Sequence, residues 1–174
     1  MSDFKELFEG DMKRYGARPD GYVKRLIRYF RRAQTASGKL PQLLYRALYR
    51  AHSSKHGMEI PWDTKIGRGL YLGHVYNITV NHGAEIGENC NIHKGAVIGQ
   101  TNRGELKGVP KIGDRVWIGV NAAVVGGVTI GDDVLIAPNS FVNRDVPAHS
   151  VVFGNPCVIK PAEHATEGYI NRMA

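Results

Sequence analysis

The sequence predicts a mainly β protein, a parallel β-helix wound from hexapeptide repeats and preceded by a short α-helical N-terminal region. Three observations carry this. From residue 60 the chain keeps a six-residue beat: "IPWDTK IGRGLY LGHVYN", then "VNHGAE IGENCN IHKGAV IGQTNR", then "IGDRVW IGVNAA VVGGVT IGDDVL IAPNSF VNRDVP". The leading residues are Ile60, Ile66, Leu72, Val80, Ile86, Ile92, Ile98, Ile112, Ile118, Val124, Ile130, Ile136 and Val142, so all 13 are aliphatic, and glycine follows seven of them. Upstream of residue 58 the apolar spacing is helical instead.

In residues 1–57, "GYVKRLIRYFRRAQ" places Tyr22, Leu26, Ile27 and Phe30 on one helical face, with Lys24, Arg25, Arg28, Arg31 and Arg32 around them. "LPQLLYRALYRAHS" repeats the theme with Leu44, Ala47, Leu48 and Ala51, and Gly38 and Pro41 mark the break between the two helices. The basic residues read as a solvated face, with peripheral membrane contact as the sharper alternative. Residues 58–160 form the β-helix. Each turn is a triangle of three short strands that cannot bury its aliphatic residues alone, so stacked turns form the core. Glycine at the second position is read as corner freedom, and small fifth-position residues such as Thr64, Ala84, Cys90, Ala96 and Ala122 as a fit to the narrow interior. Two interruptions break the beat: two extra residues between Leu72 and Val80, and an external loop near 101–110, "TNRGELKGVP". Such insertions bulge outward and gather binding residues, so both are expected to belong to one site. Residues 161–174 form a C-terminal tail.

Composition excludes several classes. The chain has 174 residues, 43% hydrophobic and 22% charged, as expected for one globular domain. No stretch reaches the roughly 18 apolar residues of a membrane span, and "MSDFKELFEGD" lacks the apolar run of a secretory signal, which predicts a cytoplasmic protein. Cys90 and Cys157 are not spaced for a thiolate metal site. A net charge of +7 favours anionic partners, but aromatic and basic residues do not interleave along the repeats as nucleic-acid binding would require.

His52, His56, His149 and His164 lie outside the repeat core, and His82 and His93 fall inside units without a partner in the pattern. His74 differs, because it follows Gly73 at a corner directly before the two-residue bulge. Glu59 precedes it by nearly one coil of three hexapeptides, so winding should bring a carboxylate beside this imidazole. Such a carboxylate fixes the tautomer and supports the imidazolium formed when the other nitrogen takes a proton, which makes a general base for a hydroxyl.

The stretch "MEIPWDTKIGRGLYLGHVYNITVN" resembles the start of the β-helix in serine acetyltransferases and in their shorter relatives from capsule and exopolysaccharide loci, including colanic acid acetyltransferases. The resemblance covers about residues 42–160. It implies a left-handed β-helix, a homotrimer, and acetyl transfer from acetyl-CoA to a hydroxyl, with His74 as base, Glu59 as its partner and no metal. It also implies that the CoA arm lies in a groove between neighbouring β-helices, along positions Gly99, Gly119, Val120, Ala137 and Pro138, with Lys160 near its phosphates.

Serine acetyltransferases carry Asp where this chain has Gly73, and a histidine where it has Val109, and those groups hold the charged ends of serine. Their absence points to a saccharide acceptor, as in polysaccharide biosynthesis, with Gly73 and Asn81 lining its site. Serine O-acetylation for cysteine biosynthesis is the alternative, and a non-catalytic β-helix a further one. A zinc carbonic anhydrase on this scaffold would need a close histidine pair, and no two of His74, His82 and His93 stand that near in sequence.

Overall fold

The computed structural model describes residues 3–17 and 19–174. Among these, three helices come first: α1 (Phe4–Tyr15), α2 (Gly21–Thr35) and α3 (Lys39–Ser53). After a single turn at Ser54–His56 come fourteen short strands. These are β1 (Lys65–Ile66), β2 (Tyr71–Gly73), β3 (Thr79–Val80), β4 (Glu85–Ile86), β5 (Asn91–His93), β6 (Val97–Gly99) and β7 (Lys111–Ile112). They continue as β8 (Trp117–Ile118), β9 (Ala123–Val125), β10 (Thr129–Ile130), β11 (Val134–Ile136), β12 (Phe141–Val142), β13 (Ser150–Phe153) and β14 (Val158–Pro161).

Every third strand stacks in parallel, which makes a three-faced prism. The first face is β1-β4-β7-β10, the second is β2-β5-β8-β11-β13 with β14 added antiparallel, and the third is β3-β6-β9-β12. Successive circuits run from Lys65 to Glu85, from Glu85 to Lys111 and from Lys111 to Thr129. The last is the plain length of three hexapeptides, and the two longer circuits absorb the two interruptions. All 13 aliphatic residues of the beat point inward, none more than 7% exposed. Each such burial contributes about 1.5–3 kcal/mol.

The second-position glycines do a different job from the one expected. Their backbone is not left-handed; instead, a Cβ on Gly67 would lie 2.7 Å from the Gly87 carbonyl carbon, and one on Gly87 would lie 2.6 Å from that of Gly113. At those two positions glycine is needed because successive coils touch through their backbones, whereas a Cβ on Gly99 would meet nothing closer than 3.5 Å. Left-handed backbone falls later in the repeat, at Gly69, Asn89, Arg115 and Asp133 on one edge and at Gly95, Asn121 and Asn139 on another. Asparagine and aspartate tolerate that conformation best after glycine.

The two interruptions occupy different edges. Residues 74–78 turn the chain from the second face to the third, whereas 101–110 lies between the third face and the first. The latter closes on itself through a Thr101–Gly108 bridge and rests on the Gly126–Gly127 backbone. One chain therefore does not combine them into one site.

Helix α1 was not expected from the sequence. α2 buries Leu26, Ile27 and Phe30 as predicted and half-buries Tyr22, but Arg31 is fully buried rather than solvated. α3 buries Tyr49 and Ser53, whereas Leu44 of its predicted inner face is 56% exposed. The Arg14 guanidinium joins helix, coil and tail by donating to the Gly69 and Asn171 carbonyls and to Asn91 Oδ1.

Asp133 is one anchor of the tail: its carboxylate accepts from the Thr166 amide and hydroxyl, the Ala165 amide and His149 Nδ1. Burial alone would raise this carboxyl, but the Thr166, His149 and Ala165 donors outweigh it and leave it below its ordinary range. A carboxyl lowered on folding contributes stability above its unfolded pKa of about 3.9 and loses it as the pH falls through the lower folded value. This anchor should accordingly hold at neutral pH and weaken only as the pH falls below about 4. Asp133→Ala should loosen the chain at residues 165–166 at neutral pH as well, raising hydrogen exchange at the Ala165 and Thr166 amides about 10- to 100-fold. Unchanged exchange would refute the lock.

Candidate active site

His74 lies at the edge between the second and third faces, directly after β2, with left-handed backbone (φ 52°) and an exposed side chain. It lines a cavity of about 430 Å³ with Tyr15, Asp20, Tyr22, His56 and Tyr71. The N-terminal helices build this wall. Asp20 caps α2 by accepting from the Tyr22 and Val23 amides. The Tyr15 hydroxyl accepts from the Leu72 amide at 2.6 Å and donates to the Leu72 carbonyl, which fixes α1 on β2 two residues before His74. Burial raises the Tyr15 phenol far above its ordinary range, so it stays neutral. Tyr22 stacks on His56 with ring centroids 3.9 Å apart.

Register sorts the other predicted residues. Gly73 pairs with His93, Ile92 with Ile118 and Ile118 with Ile136, so Gly73, His93, Gly119 and Ala137 succeed one another along the edge that carries His74. At a strand spacing of about 4.8 Å the row from Gly73 to Ala137 is about 14 Å long. Val120 and Pro138 follow immediately, and Lys160 lies at the far end with Nζ 5.5 Å from the Phe153 ring centroid. Gly99 does not join this row, because it pairs with Val125 on the third face.

Glu59 also lies on the third face, bridged to Thr79, and its carboxylate makes no hydrogen bond or ion pair among the described residues. It lines a separate, mostly apolar cavity of about 790 Å³ under α3, together with Asn81, Gly99, Arg46, Arg50 and His82. The contact expected between Glu59 and His74 is thus not made within one chain. The predicted residues fall into two groups: Gly73, His74, Gly119, Val120, Ala137 and Pro138 on one edge, and Glu59, Asn81 and Gly99 across the third face. Among the described residues, no three His, Cys, Asp or Glu side chains are grouped to hold a metal ion.

Sequence reasoning missed His93. Its ring lies with its centroid 6.4 Å from that of His74 and 4.7 Å from that of Trp117. Burial first and His74 second lower its pKa, so it is neutral at physiological pH. Counting the two-residue bulge into the coil would have placed it next to Gly73.

Comparison with known proteins agrees with the fold. Residues 110–144 match the family model described as bacterial transferase hexapeptide (six repeats), the class of protein that this prism and its repeat resemble. Among curated relatives, the serine acetyltransferase of Helicobacter pylori strain 26695 is 37% identical over 99 residues, 57% of this chain and 58% of that protein. Serine acetyltransferase 2 of Arabidopsis thaliana is 35% identical over 115 residues, 66% of this chain and 36% of that protein. The chain thus spans about half the length, or less, of these relatives. Among solved structures, a Brucella abortus serine acetyltransferase superposes with a TM-score of 0.77 at 25% identity, covering 94% of this chain and 71% of that one. The Neisseria gonorrhoeae serine acetyltransferase in complex with serine gives 0.70 at 26% identity, over 90% and 69%.

These relatives overturn the saccharide acceptor inferred from Gly73 and Val109, since all of them are named for serine. The resemblance to capsule, exopolysaccharide and colanic acid acetyltransferases finds no support among them. The physical reason lies at Gly73, where a Cβ would come within 2.5 Å of two atoms of the His93 ring. Glycine there answers to a packing demand and is a poor guide to the acceptor.

Proposed function

We propose that this chain is an acetyl-CoA-dependent serine O-acetyltransferase built on a left-handed β-helix. The observation that carries the reading is the 37% identity to a serine acetyltransferase over 99 residues. His74 stands at the head of a straight row suited to a linear thioester arm along Gly119, Val120, Ala137 and Pro138, with Lys160 toward its phosphate end. In the reaction His74 takes the proton of the acceptor hydroxyl, the oxygen attacks the acetyl carbonyl, and the carbon–sulfur bond breaks. The thiolate leaves and recovers the proton, giving an O-acetyl ester and free CoA thiol. A backbone amide stabilises the oxyanion; the Gly119 and Ala137 amides already donate to the Ile136 and Val152 carbonyls and Pro138 has none, which leaves that of Val120 in the row.

We also propose a homotrimer. Glu59, Asn81 and Gly99 lie across one face from His74, and neighbouring prisms packed side by side set the face of one chain against the edge of the next. Glu59 then serves as the carboxylate that orients the base. The reaction is assigned to the cytoplasm, where the buried, unpaired thiols of Cys90 and Cys157 stay reduced. No described helix is long and apolar enough to cross a membrane.

The test is thiol release from acetyl-CoA with L-serine, compared with a panel of sugars and nucleotide sugars. Serine-dependent release supports the reading, and turnover of a sugar without turnover of serine defeats it. Glu59→Gln should lower kcat about 10- to 1000-fold, less than loss of the base, because only its orientation is lost. An undiminished kcat would remove Glu59 from the site.

A further inference from the structure

His93 has no part in the reaction as described, yet three observations at it converge. First, it is wedged beside the base: its ring lies between those of His74 and Trp117, with Tyr71 at 6.2 Å on a third side. Second, the ring is admitted only because residue 73 has no side chain, since a Cβ there would lie 2.3 Å from Nδ1 and 2.5 Å from Cε1. Third, Nε2 is buried without a hydrogen-bond partner. An orphaned buried nitrogen is a penalty that folding alone does not explain, and in native structures such a group calls for a specific account. A leucine would have packed on Trp117 without that penalty.

The position supplies the account. His93 is the residue between Gly73 and Gly119 on the edge row, so an acetyl group delivered along that row to His74 passes over it. The acceptor hydroxyl must lie between base and thioester, which puts the rest of a small acceptor against this ring. A neutral imidazole offers one N–H donor and one lone pair. An N–H donor suits a carboxylate next to the reacting hydroxyl.

We infer that His93 is the acceptor-binding residue of this site, donating a hydrogen bond from its ring to the carboxylate of the amino-acid acceptor while Gly73 keeps the space clear for the ring. The inference rests on the serine acetyltransferase reading above. It assigns His93 to recognition, so its loss acts on the acceptor's KM more than on kcat.

The test is steady-state kinetics of thiol release with L-serine and acetyl-CoA each varied, on wild type, His93→Leu, His93→Gln and Gly73→Ala, with melting temperatures measured alongside. His93→Leu keeps the bulk on Trp117 and removes the donor. It should raise the KM for L-serine at least about tenfold, with kcat, the KM for acetyl-CoA and the melting temperature little changed. His93→Gln, which keeps an N–H, should recover part of the loss. Gly73→Ala should copy the His93→Leu defect, and Gly73→Ala combined with His93→Leu should be no worse than either alone. An unchanged serine KM in His93→Leu, or equal losses for both substrates, overturns the inference while leaving the acetyltransferase reading in place. Absence of serine turnover by the wild type overturns both.

Discussion

Replacing His74 with alanine should lower kcat for acetyl transfer to serine by about 10²- to 10⁴-fold, the range contributed by a positioned general base. The KM for acetyl-CoA should stay within about threefold, because the row from Gly119 to Pro138 proposed to hold the thioester arm does not depend on the imidazole. The residue is exposed, so its removal opens no core cavity. It does occupy left-handed backbone at φ 52°, which alanine adopts less readily than histidine or asparagine. A fall in activity with His74→Ala alone would therefore mix lost chemistry with a reshaped corner. His74→Asn separates the two: asparagine accepts the left-handed turn, but its amide takes no proton at neutral pH. Both variants should lose activity to the same extent, and His74→Asn should melt within about 2 °C of wild type, in line with a surface change of under about 0.5 kcal/mol. Retained turnover in His74→Asn would remove the base assignment altogether.

How much of this is legible in the sequence differs from part to part. The prism is readable because a fixed register repeats one physical demand, an inward aliphatic residue per face, from Ile60 to Val142. The insertions are readable as departures from it, and His74 as the residue beside one of them. What plain offset counting misses is which residues each insertion brings together across the coils. That requires converting sequence offsets into circuits of unequal length, Lys65 to Glu85, Glu85 to Lys111 and Lys111 to Thr129, and each longer circuit shifts every later residue relative to the first. Placing Glu59 beside His74 assumes a circuit of three plain hexapeptides, whereas the real one carries Glu59 on to Thr79. The same assumption hides His93, which meets Gly73 only when the bulge is counted into the circuit. Gly73 itself misleads for a related reason. A missing side chain reads as a missing ligand, when a ring from the next coil fills the place. The helices fail differently: composition marks Arg31 as surface, and nothing local to α2 announces that a carboxylate from α1 is waiting to bury with it.

That buried pair sets the second large effect, on stability. Arg31 and Asp11 are both fully buried; Arg31 Nε donates to Asp11 Oδ2 at 2.7 Å and Nη2 to Oδ1 at 3.1 Å, a two-pronged pairing. Of the remaining donors, two reach the first coil, Nη1 to the Ile66 carbonyl at 2.8 Å and Nη2 to the Gly67 carbonyl at 2.6 Å, and Nη1 also donates to Gln34 Oε1 at 3.1 Å. Asp11 Oδ1 also accepts from the Leu70 amide at 2.8 Å. One ion pair therefore ties α1 and α2 to the corner that leads into β2 and His74. Asp11→Ala leaves a guanidinium buried without its counter-charge and the Leu70 amide without an acceptor, so it should cost about 3–5 kcal/mol. For a chain of this size that is a fall in melting temperature of about 6–20 °C. Arg31→Met should also destabilise, since it strips the Ile66 and Gly67 carbonyls of their donor. Combining the two changes should cost less than the sum by about 1–3 kcal/mol, because the second removes a partner that the first has already orphaned. Strict additivity of the two changes in a thermal or urea denaturation series would show that the charges do not act as a pair. A melting temperature unchanged in Asp11→Ala would show that α1 is not anchored through them.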